Sequence, residues 1–182
     1  MSVSKKAERG YVSAIPNPEY LIKSISEQGY SLESAIADLA DNSITAGCDS
    51  IEILLDTEKS PFQLFICDNG EGMSPTELEQ NCKFPSSSPE HVRSAMDLGR
   101  FGLGMKAASF SQSRKFTVLS RRKGTDRYHA FTWDVDFIKK TGEWRLIVNS
   151  DAEVDSLLQD YIRLRGSYVD PLKGFEANTI IL

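Results

Sequence analysis

Apolar residues along the chain fall into two periods, one of helices and one of strands. Leu32, Ala35, Ile36, Leu39, Ala40 and Ser43 follow i, i+3, i+4, i+7 spacing and predict the buried stripe of a helix. Ser31 stands where its N-cap belongs, and Gly47 ends it. Asp38, Asp41, Asn42 and Thr45 fall on the other side. At about 100° per residue, Asp38 and Asn42 lie about 40° apart, one turn above the other. An earlier helix is predicted from Glu19 through Ile25, with Asn17 as cap, Pro18 in the first position and a stop near Gly29. Strands are predicted at Ile51–Asp56 and Phe62–Cys67. Ser74 and Glu77 form a capping box that starts another helix. From Asn81 to Leu98 the pattern dissolves into proline, serine and scattered charge. A glycine-rich turn, Gly99 to Gly104, then enters a helix. Beyond it come strands at Lys115–Ser120, Tyr128–Asp134 and Trp144–Val148, a helix from about Glu153 to Leu164, and a closing strand Thr179–Leu182.

Composition narrows the class. A length of 182 residues suits one domain with at most a small appendage, and 40% hydrophobic with 26% charged residues is ordinary for a soluble globular protein. The net charge of −5 argues against a basic nucleic-acid binder. Arg114-Lys115 and Arg121-Arg122-Lys123 form a local basic patch that reads first as a solvated strand end. Cys48, Cys67 and Cys82 are odd in number and have no metal-ligand spacing, so free thiols in a reducing, cytoplasmic setting are expected. No signal peptide or membrane-spanning run is evident, and no membrane partner is expected. Residues 1–14 read as a flexible arm anchored by Tyr11 and Val12, or as a simple frayed terminus. The last residues, Thr179-Ile180-Ile181-Leu182, are apolar, which suggests a piece of a longer protein with a following domain.

Chemistry concentrates in three stretches. Asp68 ends a buried strand, where the sheet can hold a carboxylate still over a pocket. Gly70 and Gly72 after it permit positive φ and close approach of a ligand to the main chain. A tight Asn-Gly hairpin turn is the plainer alternative. The glycine-rich turn before Met105 suggests phosphate, because a helix N-terminus presents free N–H groups and positive potential. No GxxxxGK[ST] loop is present. Gly102-Leu103-Gly104-Met105-Lys106-Ala107 matches the GxGxxA dinucleotide fingerprint, but Arg93–Leu98 before it is no strand, as that fingerprint requires.

Asp38-Leu39-Ala40-Asp41-Asn42-Ser43, Asp68-Asn69-Gly70-Glu71-Gly72-Met73 and Gly99-Arg100-Phe101-Gly102-Leu103-Gly104-Met105-Lys106 together resemble the motifs of the GHKL ATPase superfamily. That superfamily includes DNA gyrase B, heat-shock chaperones, histidine kinases, MutL and the MORC proteins. Asn178-Thr179-Ile180 is a weaker fourth match, where the family usually has Gly-Thr. The third motif is closest in wording to the MORC and MutL-like branch. The resemblance covers nearly the whole chain. It implies an α/β (α+β) Bergerat fold, a two-layer sandwich of helices on one face of a mixed, mainly antiparallel sheet. The ATP-binding domain would span 15–182, with a lid over about 74–101.

The resemblance also implies roles. Asp68 would accept the adenine amino group, with Thr179 sharing that contact and Met73 packing on the base. Gly70 and Gly72 would let the nucleotide approach. Gly99, Arg100, Phe101, Gly102, Leu103, Gly104 and Met105 would surround the phosphates. Lys106 would either add a charge there or face solvent. Asn42 would offer its amide oxygen to Mg²⁺, a cation otherwise liganded by water and phosphate. Asp38 stands where hydrolysing branches usually have Glu, as the base that orients water, and its side chain is one methylene shorter. The implied activity is Mg²⁺-dependent ATP hydrolysis, slow in the isolated domain, driving a nucleotide-dependent homodimer in a DNA-directed or defence-related machine. The alternative is a regulatory or histidine-kinase catalytic domain that binds ATP without useful hydrolysis.

Overall fold

The computed structural model describes residues 12, 16–27, 29–84, 103–168 and 172–182. Most of the expected arm and lid lie outside the described residues, as do Gly99, Arg100, Phe101 and Gly102.

Local signals set the helix starts. In α1 (Pro18–Ser26) the Asn17 side chain accepts from Tyr20 N at 3.2 Å and Pro18 opens the first turn. In α2 (Leu32–Thr45) Ser31 Oγ accepts from Ser34 N, and Gly47, at φ +74°, releases the chain in the left-handed region. The capping box of Ser74 and Glu77 forms as expected at the start of α3 (Pro75–Cys82). Gly104, the last glycine of the third stretch, opens α4 (Gly104–Gln112).

Two elements depart from the sequence pattern. Asp134 accepts from Phe137 N at 3.0 Å and caps a short helix, α5 (Val135–Thr141), which Gly142 ends at φ +68°. The strand expected over Trp144–Val148 shrinks to β5 (Ile147–Val148), because Trp144 turns inward against Trp133 and Phe84. A second capping box, Ser150 with Glu153, starts α6 (Asp151–Gly166) slightly before the predicted point.

The remaining strands are β1 (Ile51–Asp56), β2 (Gln63–Asp68), β3 (Lys115–Ser120), β4 (His129–Asp134) and β6 (Thr179–Ile181). They form a six-stranded sheet in the order β1-β2-β6-β3-β4-β5, and every pairing is antiparallel. The last strand in the chain therefore sits at the centre of the sheet. Its register sets Thr179 directly opposite both Asp68 of β2 and Ser120 of β3. Directly opposed residues share a face, so these three side chains form one polar row across the sheet.

Alternation along the strands separates two cores. Ile66 packs with Ala35, Leu39 and Ala108 beneath α2 and α4, while Val118, Phe131 and Trp133 pack with residues of α1, α3, α4 and α5. Phe65, Cys67, Leu119 and Ile180 point the other way and pack against Val154, Tyr161 and Leu164 of α6. Five helices thus share the face carrying the polar row, and α6 adds cover on the reverse. On that reverse side Glu52 is 7% exposed, and Arg165 donates to it at 2.9 Å, which compensates a buried charge. No helix among the described residues is long and apolar enough to cross a membrane.

Candidate nucleotide-binding site

Asp68 is the last residue of β2 and is 6% exposed. Its Oδ1 accepts from Gly70 N at 3.0 Å and its Oδ2 accepts from Ser43 Oγ at 3.0 Å. Burial pushes its carboxyl above the usual aspartate range, and the two hydrogen bonds pull it partly back. A carboxylate at the end of a central strand, held by two donors, is a fixed acceptor. Along the row, Thr179 Oγ1 lies 3.0 Å from Ser120 Oγ. The Ser120 hydroxyl donates to Asn178 O at 2.9 Å and accepts from Met73 N at 2.9 Å.

The loop after Asp68 is held from several directions. Ala46 O, at the end of α2, accepts from Glu71 N at 2.9 Å, and Asn69 Oδ1 accepts from the main chain of Asp49 and Ser50. A Cβ on Gly70 would lie 2.8 Å from Ala46 O, so this glycine answers a need for space and does not take positive φ. Gly72 does take positive φ, at +61°, and a Cβ there would fall 1.8 Å from Arg121 O. Asn178, where the resembled family usually has Gly, donates to Gly70 O at 2.8 Å and accepts from Arg121 Nε at 3.1 Å. Arg122 donates to Gly72 O at 3.0 Å and pairs with Glu77 at 2.5 Å. The basic residues after β3 therefore clasp this loop, and Arg114 pairs with Asp136.

These contacts bring two of the predicted stretches together. Ser43 and Ala46 fix the C-terminal half of α2 to the Asp68 loop, which sets Asp38 and Asn42 on the adjoining part of the same helix. Asn42 is exposed, and Asp38 is half-buried, its Oδ2 accepting from Tyr30 Oη at 2.7 Å. Among the described residues, no cluster of three His, Cys, Asp or Glu side chains could hold a metal. Asn42 alone fits Mg²⁺ that takes its other ligands from phosphate and water.

The third stretch contributes the start of α4, which packs beside α2. Leu103 in the N-cap position offers no side-chain acceptor to the first-turn N–H groups, and among the described residues nothing lies within 4 Å of a Cβ built on Gly104. A helix start that lacks a side-chain cap from its N-cap residue is suited to an anion. Met73 and Met105 are partly buried and pack against the core beside this region.

Lys106 takes neither of its expected settings. It is 1% exposed; Nζ donates to Asn81 O at 2.5 Å and lies 5.3 Å from the Phe84 ring centroid. Burial lowers its pKa to about 8. In the unfolded chain the group keeps an ordinary lysine value, about 10.4. Between these values the unfolded state binds more protons, so this lysine makes stability rise with pH over that window. We expect Lys106→Met to remove that rise, and chemical denaturation of both chains from pH 7.5 to 10.5 checks it. Parallel pH profiles would contradict the assignment.

Ser43 falls in the predicted buried stripe, but its role as a donor to Asp68 does not show in the spacing. Tyr30 and Ser120 give no motif-level signal at all, and Asn178 enters the fourth match only as a departure from its usual Gly. A cavity of about 650 Å³ lies around Leu64, Thr117 and Leu182, at the opposite end of the strands from the polar row. It is separate from this site.

Residues 30–163 match the family model described as "Histidine kinase-, DNA gyrase B-, and HSP90-like ATPase". The chaperone protein HtpG of Rickettsia canadensis is 27% identical over 166 residues, covering 76% of this chain and 26% of that protein. HtpG of Natranaerobius thermophilus is 31% identical over 111 residues, covering 56% and 17%. The ATPase MORC2B of Mus musculus is 29% identical over 97 residues, covering 52% and 9%. The chain thus spans between 9% and 26% of the length of these relatives. By its motifs, its fold and the match over residues 30–163, the chain belongs to the family of histidine kinase-, DNA gyrase B- and HSP90-like ATPases.

Proposed function

We propose that this domain binds ATP with Mg²⁺, reads adenine through Asp68, and hydrolyses the γ-phosphate with Asp38 as the base that orients water. The observation that carries the reading is the row Asp68–Thr179–Ser120 across three strands, with a doubly held carboxylate at one end. A fixed carboxylate accepts from the exocyclic amino group of adenine. It repels guanine, which presents a carbonyl oxygen at that position. Gly70 and Gly72 let the loop after Asp68 close on Ala46 and Arg121, which holds the backbone beside the carboxylate still, and the start of α4 offers N–H groups to the phosphates. Asn42, on the exposed face of α2, supplies one oxygen to Mg²⁺ while the phosphates and water supply the rest. Asp38 lies one turn before Asn42 on α2, so base and metal ligand share a face.

Calorimetric titration of the folded chain with MgATP, MgADP and MgGTP tests the binding part. ATP and ADP are expected to bind, with GTP weaker by about tenfold or more, the scale of one hydrogen bond to a charged group. Equal affinity for GTP would overturn the role of Asp68.

In the whole protein, nucleotide state would drive homodimerisation and opening of a larger machine of MORC or MutL-like type, DNA-directed or defence-related. The presence of MORC2B among the relatives supports that branch, and the HtpG chaperones support a nucleotide-driven machine of the wider family. The carboxylate at Asp38 favours this reading over a kinase-type domain, where a protein histidine is the nucleophile and no water-directing base is needed.

A further inference from the structure

We propose that Tyr30 is a positioning residue for Asp38, fixing one carboxylate oxygen so that the other faces the attacking water. The inference rests on the ATPase reading above. It starts from a contact that links two segments eight residues apart: Tyr30 Oη donates to Asp38 Oδ2 at 2.7 Å. The tyrosine is itself held at three points. Its ring packs against the cluster of Ala35, Leu39, Ile66 and Ala108 between α2, α4 and the sheet. The next residue, Ser31, caps α2. Its carbonyl accepts from Gln112 Nε2 at 3.3 Å, at the last residue of α4. A hydroxyl delivered by so constrained a ring is a stiff donor.

The chemistry gives that donor a purpose. Asp38 is half-buried on a helix, and an unheld carboxylate there rotates about its last torsion and presents either oxygen. A short hydrogen bond from a phenol to a carboxylate is charge-assisted, and it removes that freedom. With Oδ2 occupied, Oδ1 is the oxygen left to accept from water. Orienting the reacting group in advance lowers the barrier without altering how tightly substrate binds. The aspartate is one methylene shorter than glutamate, so its reach is less adaptable and depends more on being aimed. The same contact connects the two nucleotide-facing helices, because Tyr30 touches α2 through its hydroxyl and α4 through its carbonyl.

Tyr30→Phe keeps the ring and its packing and deletes only the hydroxyl. In single-turnover hydrolysis of labelled MgATP with protein in excess, the rate should fall by about tenfold, the scale of a charge-assisted hydrogen bond. MgADP affinity should stay within about twofold. An independent readout is the Cζ chemical shift of Tyr30, assigned by the Tyr30→Phe chain. The bond to Asp38 pushes the Tyr30 hydroxyl above the ordinary tyrosine range, so it should ionise at higher pH than in Asp38→Asn. An ionisation unchanged by Asp38→Asn would show that the contact is absent, and would overturn the proposal while leaving the ATPase reading intact. A normal Tyr30→Phe rate beside a dead Asp38→Asn would make the contact purely structural and overturn it too. Full turnover in Asp38→Asn would remove the base itself, and the proposal with it.

Discussion

Asp38→Asn should leave ATP bound and turnover nearly gone. A positioned general base contributes about 10²- to 10⁴-fold in rate, and the substitution removes the base while keeping volume and shape. Three observations argue that the loss is chemical. Asp38 is half-buried, and an isosteric asparagine fills the same space. Its Oδ2 position still meets the Tyr30 hydroxyl in the variant, as an amide oxygen or nitrogen, and a hydroxyl can pair with either. Asn42, the residue fitted to Mg²⁺, is untouched. Phosphate release and calorimetry on the same preparation separate the two effects. A variant that turns over at the normal rate would require another base. Glu33 is a poor one, because it lies about 180° from Asn42 around α2.

The second large effect falls on binding. Asp68→Asn should weaken ATP by about tenfold or more and leave the fold at least as stable at neutral pH. The binding loss follows from the two donors at this site. Gly70 N needs an acceptor, so the amide oxygen takes the place of Oδ1 and the NH₂ group takes that of Oδ2. A donor then faces the donor amino group of adenine. The Ser43 hydroxyl, also within 3.2 Å of Leu39 O, can turn to that carbonyl and accept from the new NH₂.

The stability side follows from linkage. A carboxyl whose pKa is raised in the fold binds its proton more tightly than in the unfolded chain. Its ionisation therefore costs stability as pH rises through the window between the two values, and the full cost is present at neutral pH. Asparagine removes that cost. For the same reason wild-type affinity should fall on acidification at a higher pH than an exposed aspartate would give. Thermal unfolding at pH 7 with nucleotide titration at several pH values checks both halves. A destabilised Asp68→Asn that binds ATP normally would mean that Asp68 is a structural acid only.

Local chemistry made much of this legible from the chain alone. Asn17, Ser31 and Ser74 cap their helices because the cap is decided within three or four residues. Asp68 stood out because a carboxylate at the end of an apolar strand has no reason to be there for packing. What the chain did not disclose depends on contacts far apart in sequence. The insertion of β6 between β2 and β3 puts Thr179 beside Asp68 across 111 positions, and periodicity carries no strand order. Lys106 looked like a charge for phosphate or solvent, and only the approach of Asn81 and Phe84 gives it a buried setting. Short helix α5 was hidden because Asp134 serves both as the last residue of β4 and as its cap. Leu32 obeys the helical stripe yet is 45% exposed, since it lies on the first turn of α2, while Ala35, Leu39 and Ser43 form the buried line.

A nucleotide is expected to sit on the polar row across β2, β6 and β3, beside the start of α4. Titration of the ¹⁵N-labelled chain with MgADP, followed amide by amide, tests this most directly. The predicted result is saturable shifts at Asp68 to Met73, at Thr179 and at Gly104 to Lys106, with MgGDP producing them only at much higher concentration. Shifts confined to the cavity at the other end of the strands, around Leu64 and Thr117, or none at millimolar MgADP, would contradict it.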